Sequence, residues 1–383
     1  MTKITAHAIL FIACLNSFFV FGQAVAPIAV LNVGYNESSS GLAIFDVGNN
    51  NVVIIGEDVH NRIDMPRATL KFLQHLHKLN GTRVLAIEGG TSTAFLVNRY
   101  LDTQDTVLLR EIVRHTFYWG IEHQQFLKEL AQWNEQLSDD QKIKLRSADI
   151  EIKQESVVLA INVLLKEQET TALPSGLRSF REIFEEKSSH RNKFDALNVF
   201  YYYDKDKCRK AAEAVLADVA VHPDQYKTIF GPNVGMVKTM MQDLISQYTF
   251  NYKDTHYGYR DAIIYQKLLS LHNDGITKFL YIVGGKHTGQ GSSSYRLQHD
   301  ALSPFHGKVV FINITARKPN GKFQGSKAVS DLSARYPEMF CADCHVLIRN
   351  DGSTKLLTQV PDYTLAFKNT SFVRKFSNTF TGD

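Results

Sequence analysis

Hydrophobic and polar residues follow two rhythms along this chain. Val52, Val53, Ile54 and Ile55 form a compact β-branched run closed by Gly56. A continuous apolar run of that length fits a strand covered on both faces of a sheet. Over residues 64–78 the rhythm changes to Leu70, Leu73, Leu76 and Leu79, the spacing of a helix, and Asn80-Gly81 supplies its stop. Val84, Leu85, Ala86 and Ile87 make a second strand that ends at Glu88-Gly89-Gly90. Strand, helix and strand at this spacing predict a βαβ unit, with parallel strands and a right-handed crossover.

The same two rhythms predict helices over 93–101, 106–115, 122–136, 156–166 and 260–271, and strands over 143–149, 279–283 and 309–312. A terminal strand pair is expected within 346–357, with Asn350-Asp351-Gly352 as the hairpin turn and Leu356-Leu357 on the return. From about 170 to 250 no strand pattern appears. Charged helical stretches with Phe180, Phe184, Phe194 and Phe200 predict a mainly helical insertion there. The expected fold class is α/β: a mostly parallel central sheet, helices on both faces, and one domain over 23–383 that includes the insertion.

Composition changes this picture little. With 44% hydrophobic and 11% aromatic residues, the chain can bury a sizeable core, which excludes a disordered or fibrous protein. Forty-three Lys and Arg against 39 Asp and Glu leave a formal charge of +4, without the basic stripe of a nucleic-acid binder. The start of the chain matters more. Lys3 precedes an apolar run over 8–21, closed by Gly22-Gln23. This is the pattern of a secretory signal peptide over 1–22, with a retained anchor as the alternative. It places the mature protein outside the cytoplasm, secreted or periplasmic. No later apolar stretch reaches 18 residues, so no membrane span is expected in the mature chain. Cys208, Cys341 and Cys344 remain after cleavage, an odd number. Cys341-Ala342-Asp343-Cys344-His345 has the form of a c-type haem attachment site, and a local disulfide or plain thiols are the other readings.

Three predicted strands end in polar motifs: Gly56-Glu57-Asp58-Val59-His60, Glu88-Gly89-Gly90, and Gly284-Gly285-Lys286-His287. Any one of them would serve as a turn into solvent. In parallel α/β sheets, however, ligands bind beyond the carboxyl ends of the strands, so Glu57, His60, Glu88 and His287 are expected at one edge. Glycine lets the backbone approach a ligand, while His and Glu are the usual acid and base groups.

At these residues the chain resembles a known group. Gly56-Glu57-Asp58-Val59-His60 resembles the G-E-x-x-H opening of the erythromycin esterase family and of the ChaN-like group, within the wider superfamily that includes the Tiki and TraB proteins. Ala86-Ile87-Glu88-Gly89-Gly90 is similar to that family's second strand. Tyr259-Arg260-Asp261-Ala262 is similar to the start of its late helix, Val283-Gly284-Gly285-Lys286-His287 to its closing motif, and Ser147-Ala148-Asp149 to the strand-end aspartate of the esterase-like members. The motifs span about 50–150 and 255–315. One departure stands out: esterase members carry H-N-x-H in the last motif, and here Gly284 occupies the first histidine position. A single histidine there is closer to ChaN, whose members bind haem.

The resemblance implies a hydrolase of ester, lactone or amide bonds, or a haem-binding protein without catalysis. For the hydrolase, His60 is cast as general base on water, oriented by Glu57 or Glu88. His287 is the acid toward the leaving group or a partner of the oxyanion. Arg260 either holds a substrate carboxylate or braces the sheet edge by an ion pair to Glu57 or Glu88. No G-x-S-x-G elbow is present, which argues against a serine nucleophile. A divalent metal on His60, Glu88 and His287, with Glu57, is the further possibility the Tiki relatives imply, although H-E-x-x-H is absent. Haem would need an apolar wall such as Phe200-Tyr201-Tyr202-Tyr203. The expected partner is therefore a small-molecule substrate or haem, and the sequence itself requires no cofactor.

Overall fold

Apolar side chains on both sides of the central strands decide the architecture. The computed structural model describes residues 27–32, 47–57, 64–116, 120–166, 173–188, 205–249, 256–316, 344–349 and 363–367. The strands are β1 (Pro27–Asn32), β2 (Val52–Glu57), β3 (Val84–Ile87), β4 (Lys144–Ser147), β5 (Phe279–Gly284), β6 (Val309–Ala316), β7 (Cys344–Arg349) and β8 (Tyr363–Phe367). The helices are α1 (Asp64–Asn80), α2 (Thr91–Thr103), α3 (Thr106–His115), α4 (Ile121–Glu135), α5 (Gln154–Lys166), α6 (Ser175–Ser188), α7 (Lys205–Val221), α8 (Pro223–Phe230), α9 (Val234–Thr249), α10 (His256–Asn273) and α11 (Ser293–His299).

The described strands form one sheet in the order β1-β7-β8-β6-β2-β5-β3-β4. The five from β6 to β4 run parallel. β8 extends them in parallel beside β6, and β7 and β1 follow in antiparallel pairing. Alternate residues of each central strand enter different cores. Val53, Ile55, Leu85, Ile87 and Leu280 pack with Leu73, Leu96, Leu127 and Ile161 of α1, α2, α4 and α5. Val52, Ile54, Ala86, Phe279 and Tyr281 pack with Ile264, Leu268 and Leu297 of α10 and α11. The α/β class with helices on both faces is thus realised, and the uninterrupted apolar runs are its signature.

β2 and β3 are parallel, as expected, and β5 lies between them, with Val52 opposite Phe279 and Leu85 opposite Leu280. Phe279, Leu280 and Tyr281 are each fully buried, as suits the middle strand of the five from β6 to β4, where both faces are covered. At the carboxyl-terminal end, the strand that pairs with β7 is β8, with His345 opposite Phe367. Leu356-Leu357 lies outside the described residues. Tyr363-Thr364-Leu365-Ala366-Phe367 carries the β-branched and aromatic residues that suit a strand. Cys344 and His345 open β7 and pair with Asn32 and Leu31 of β1. Cys341, residues 1–22 and Phe200-Tyr201-Tyr202-Tyr203 are outside the described residues.

Between α5 and α10 the described elements are all helical. α7 packs on α6 and α9, and α9 also touches α2, which follows the β3 strand end. Among the described residues no helix is long and apolar enough to cross a membrane.

Candidate active site

Because β2, β5, β3 and β4 are parallel neighbours, their carboxyl ends point the same way and set Glu57, Gly284, Glu88 and Asp149 along one edge. Gly56 lets that edge close. A Cβ there would stand 2.9 Å from Asn313 Oδ1 on β6 and 2.9 Å from Thr288 Cγ2 after β5. The first turns of α10 bring Arg260 and Asp261 to the same edge from the second face of the sheet.

The charged groups there alternate in sign. Arg260 Nε lies 3.0 Å from both carboxylate oxygens of Asp149, and its Nη2 also donates to Asp149 Oδ2. The same Nη2 donates to Glu88 Oε1 at 2.8 Å. The other oxygen of Glu88 accepts the Gly284 backbone N–H at 2.5 Å. His287 Nε2 stands 3.5 Å from Glu88 Oε1, and its Nδ1 is 3.0 Å from Asp261 Oδ1. Asp261 Oδ1 also accepts the Ser293 N–H at 2.9 Å. The result is an ordered series Asp261, His287, Glu88, Arg260, Asp149, in which each cation sits between two carboxylates. Asp149 is fully buried, and His287 is 2% and Glu88 8% exposed.

Electrostatics follow from this order. Burial disfavours a charged His287, but the hydrogen bonds to Asp261 and Glu88 outweigh it and push the imidazole from 6.5 up to about 9. Burial also works against an ionised Asp261, yet the His287 contact holds its carboxyl below the usual range. The Arg260 guanidinium is buried too, and Asp149 and Glu88 hold it firmly protonated. The phenol of Tyr281, on the neighbouring strand, is pushed well up by burial. His287 is therefore an imidazolium at neutral pH. Its Nδ1 is tied to Asp261, and its Nε2 is the looser end, since 3.5 Å is long for a hydrogen bond.

A pH dependence of stability follows. His287 binds its proton more tightly when folded, so its contribution is complete below 6.5 and is lost as pH rises through about 9. Glu151, fully buried, is pushed up to about 8 by burial and by the charge of Asp243, and its contribution also falls with rising pH. Thermal melts across about pH 5–10 should show a midpoint that declines on the alkaline side. A flat or rising midpoint between 6.5 and 9 would contradict the His287 environment.

The edge opens into a cleft between the sheet, α1 and α4. Glu57 and Glu88 lie at one end, Met65, Pro66, Ile87, Phe126 and Ile282 give it apolar walls, and His123 and Thr69 complete the lining. His287 is not part of this lining; it reaches the cleft only through Glu88, whose Oε1 is 3.5 Å from its Nε2.

Of the residues expected at the site, Glu88, Arg260 and His287 are brought into direct contact, and Glu57 shares the cleft with Glu88. His60 lies outside the described residues. The brace expected of Arg260 runs to Glu88 and Asp149. Among the described residues, no three His, Cys, Asp or Glu side chains converge as a metal site requires. Sequence reasoning gave Asp261 no role, although it directly follows Arg260 and is the partner of His287. Nor did it single out Lys267, which follows Arg260 by seven residues and so shares its helix face. That spacing was the available signal.

No protein-family model matches the chain, and no curated protein matches it. Solved structures do. A protein from Bacillus cereus aligns over 92% of this chain and 97% of its own, with TM-score 0.55 at 14% identity. A succinoglycan biosynthesis protein aligns over 90% and 95%, with TM-score 0.61 at 13% identity. A histidine-to-asparagine mutant of the erythromycin esterase EreC, in its open conformation, aligns over 91% and 98%, with TM-score 0.57 at 10% identity. The chain has the erythromycin esterase-like fold. The likeness extends over the whole erythromycin esterase chain rather than one motif. In this esterase-like fold the turns after β3, β4 and β5, together with the start of α10, carry the charged series.

Proposed function

We propose that the protein is an exported hydrolase that uses His and Glu side chains as general acid and base for attack of water on an ester, lactone or amide bond. The observation that supports it is His287: an imidazolium fixed at Nδ1 by Asp261, with its Nε2 beside a cleft carboxylate. A carboxylate behind an imidazole fixes the ring's orientation and stabilises its charge. Water, deprotonated by His60 with Glu57 or Glu88 orienting it, adds to the carbonyl carbon and leaves an oxyanion. His287 Nε2–H stabilises that charge, then gives its proton to the departing alcohol or amine as the carbon–heteroatom bond breaks. The products are an acid and an alcohol or amine; His60 releases the proton it took from water to solvent, and His287 is reprotonated from solvent. Arg260 and the Gly284 N–H keep Glu88 in place throughout. The signal over 1–22 takes the enzyme out of the cytoplasm.

The test is turnover of a panel of ester, lactone and amide substrates by the purified mature chain, with and without a chelator. Hydrolysis that survives chelation is the expected result, and loss on chelation would move the chemistry to a metal. Absence of turnover, with a Soret band rising to a 1:1 endpoint on haem addition, would replace this reading with the haem-binding one.

A further inference from the structure

Behind the acid–base groups lies a second buried polar cluster that the reaction itself does not use. Lys267, on the same face of α10 as Arg260, donates to the Asp149 backbone carbonyl at 2.5 Å, to Asp243 Oδ2 at 2.6 Å and to Ser147 Oγ at 3.3 Å. Asp243 comes from α9 and also accepts from Thr91 Oγ1 at 3.0 Å. Ser147 Oγ donates to the Gly89 carbonyl at 2.8 Å. Glu151 accepts the Ser92 backbone N–H and hydroxyl, both at 2.6 Å, and a Cβ on Gly90 would strike that carboxylate at 2.1 Å.

These bonds lace together two turns. One is the turn after β3, which carries Glu88. The other is the turn after β4, which carries Asp149, the carboxylate that aligns Arg260 on Glu88. Lys267 and Asp243 are nearly buried, at 17% and 6% side-chain exposure. A buried ion pair contributes little net stability over an apolar pair of equal volume, because both charges lose their water. Stability therefore does not account for this one. Its position does.

We propose that Lys267 and Asp243 are positioning residues: they lock the two strand-end turns so that Asp149, Arg260 and Glu88 stay in line, and through Asp243 they make helix α9 part of that lock. The proposal rests on the reading of Glu88 and His287 as working groups, and its test has a readout that does not.

The Gly284 amide, 2.5 Å from Glu88 Oε2, reports where that carboxylate sits. The variant is the double change Lys267→Met with Asp243→Asn, which leaves no buried charge without its partner. The expected result is cooperative melting with the Gly284 amide proton moved upfield as its hydrogen bond lengthens. Hydrolysis should lose about 10²-fold in kcat at unchanged KM, the scale of an ångström's misplacement of a catalytic group. A folded double variant with the Gly284 resonance at its wild-type position would overturn the proposal, whatever its activity. If the wild-type chain hydrolyses nothing, the proposed function fails and the amide resonance still decides. Should the double variant not fold, Ser147→Ala removes one hydroxyl and no charge. It must move the same resonance in the same direction by a smaller amount, and an unmoved resonance overturns the proposal equally.

Discussion

Replacement of His287 by alanine is expected to lower kcat by about 10²–10⁴-fold, the usual range for a general acid or base. The expectation is that large because the ring fills two needs at once. In the proposed reaction its Nε2–H meets the developing negative charge, and Asp261 at Nδ1 favours the charged ring. Without it, a leaving alkoxide or amide anion would have to depart unprotonated. The matched control is Lys286→Ala, one residue away and exposed. That variant should keep wild-type turnover. Steady-state kinetics on any ester the wild type hydrolyses decides between them. Loss of activity in the Lys286 variant with retention in the His287 variant would end the acid assignment.

Arg260→Leu carries the largest expected cost in stability. The guanidinium satisfies Asp149, which is fully buried, and Glu88, which is 8% exposed. Removing one member of a buried ion network leaves its partners charged and dry, at a cost of about 3–5 kcal/mol. Urea denaturation should show a midpoint lowered to match, at unchanged slope. Arg260→Lys should fall between the two, since it keeps the charge and loses the planar fork that reaches Asp149 through two nitrogens. A loss below about 1 kcal/mol in the leucine variant would mean that the carboxylates find other partners.

The strands that were legible in the sequence are those covered on both faces. Val52 to Ile55 and Phe279 to Tyr281 announce themselves because neither face meets water. β1 escaped notice: its partner is β7, more than 300 residues later, and nothing local marks the pairing. The order of the sheet was hidden for the same reason. A strand's own pattern shows how it is covered and leaves its neighbours open. At the strand ends, Glu57, Glu88 and His287 were legible because glycine beside an acid or imidazole there is a local feature, and Arg260 stood out through the likeness of Tyr259-Arg260-Asp261-Ala262 to a family motif. The Arg260–Asp149 pair joins residues 111 positions apart, so its existence could only come from the fold. Asp261 and Lys267 were legible in principle, through their spacing from Arg260 on one helix.

The place of β5 bears on how the chain reaches this state. β2 and β3 emerge early in synthesis, yet the strand that hydrogen-bonds to both follows β3 by nearly 200 residues. Until it arrives, two β-branched edges stand unpaired, and a shorter chain has no geometry in which Glu57 and Glu88 flank a common neighbour. Sheets closed by such distant segments fold slowly and leave edges open to wrong pairing in the meantime. A chain stopped before residue 279 would thus hold Glu57, Glu88, Asp149 and Arg260 without the strand that separates β2 from β3, and would carry a standing tendency to aggregate.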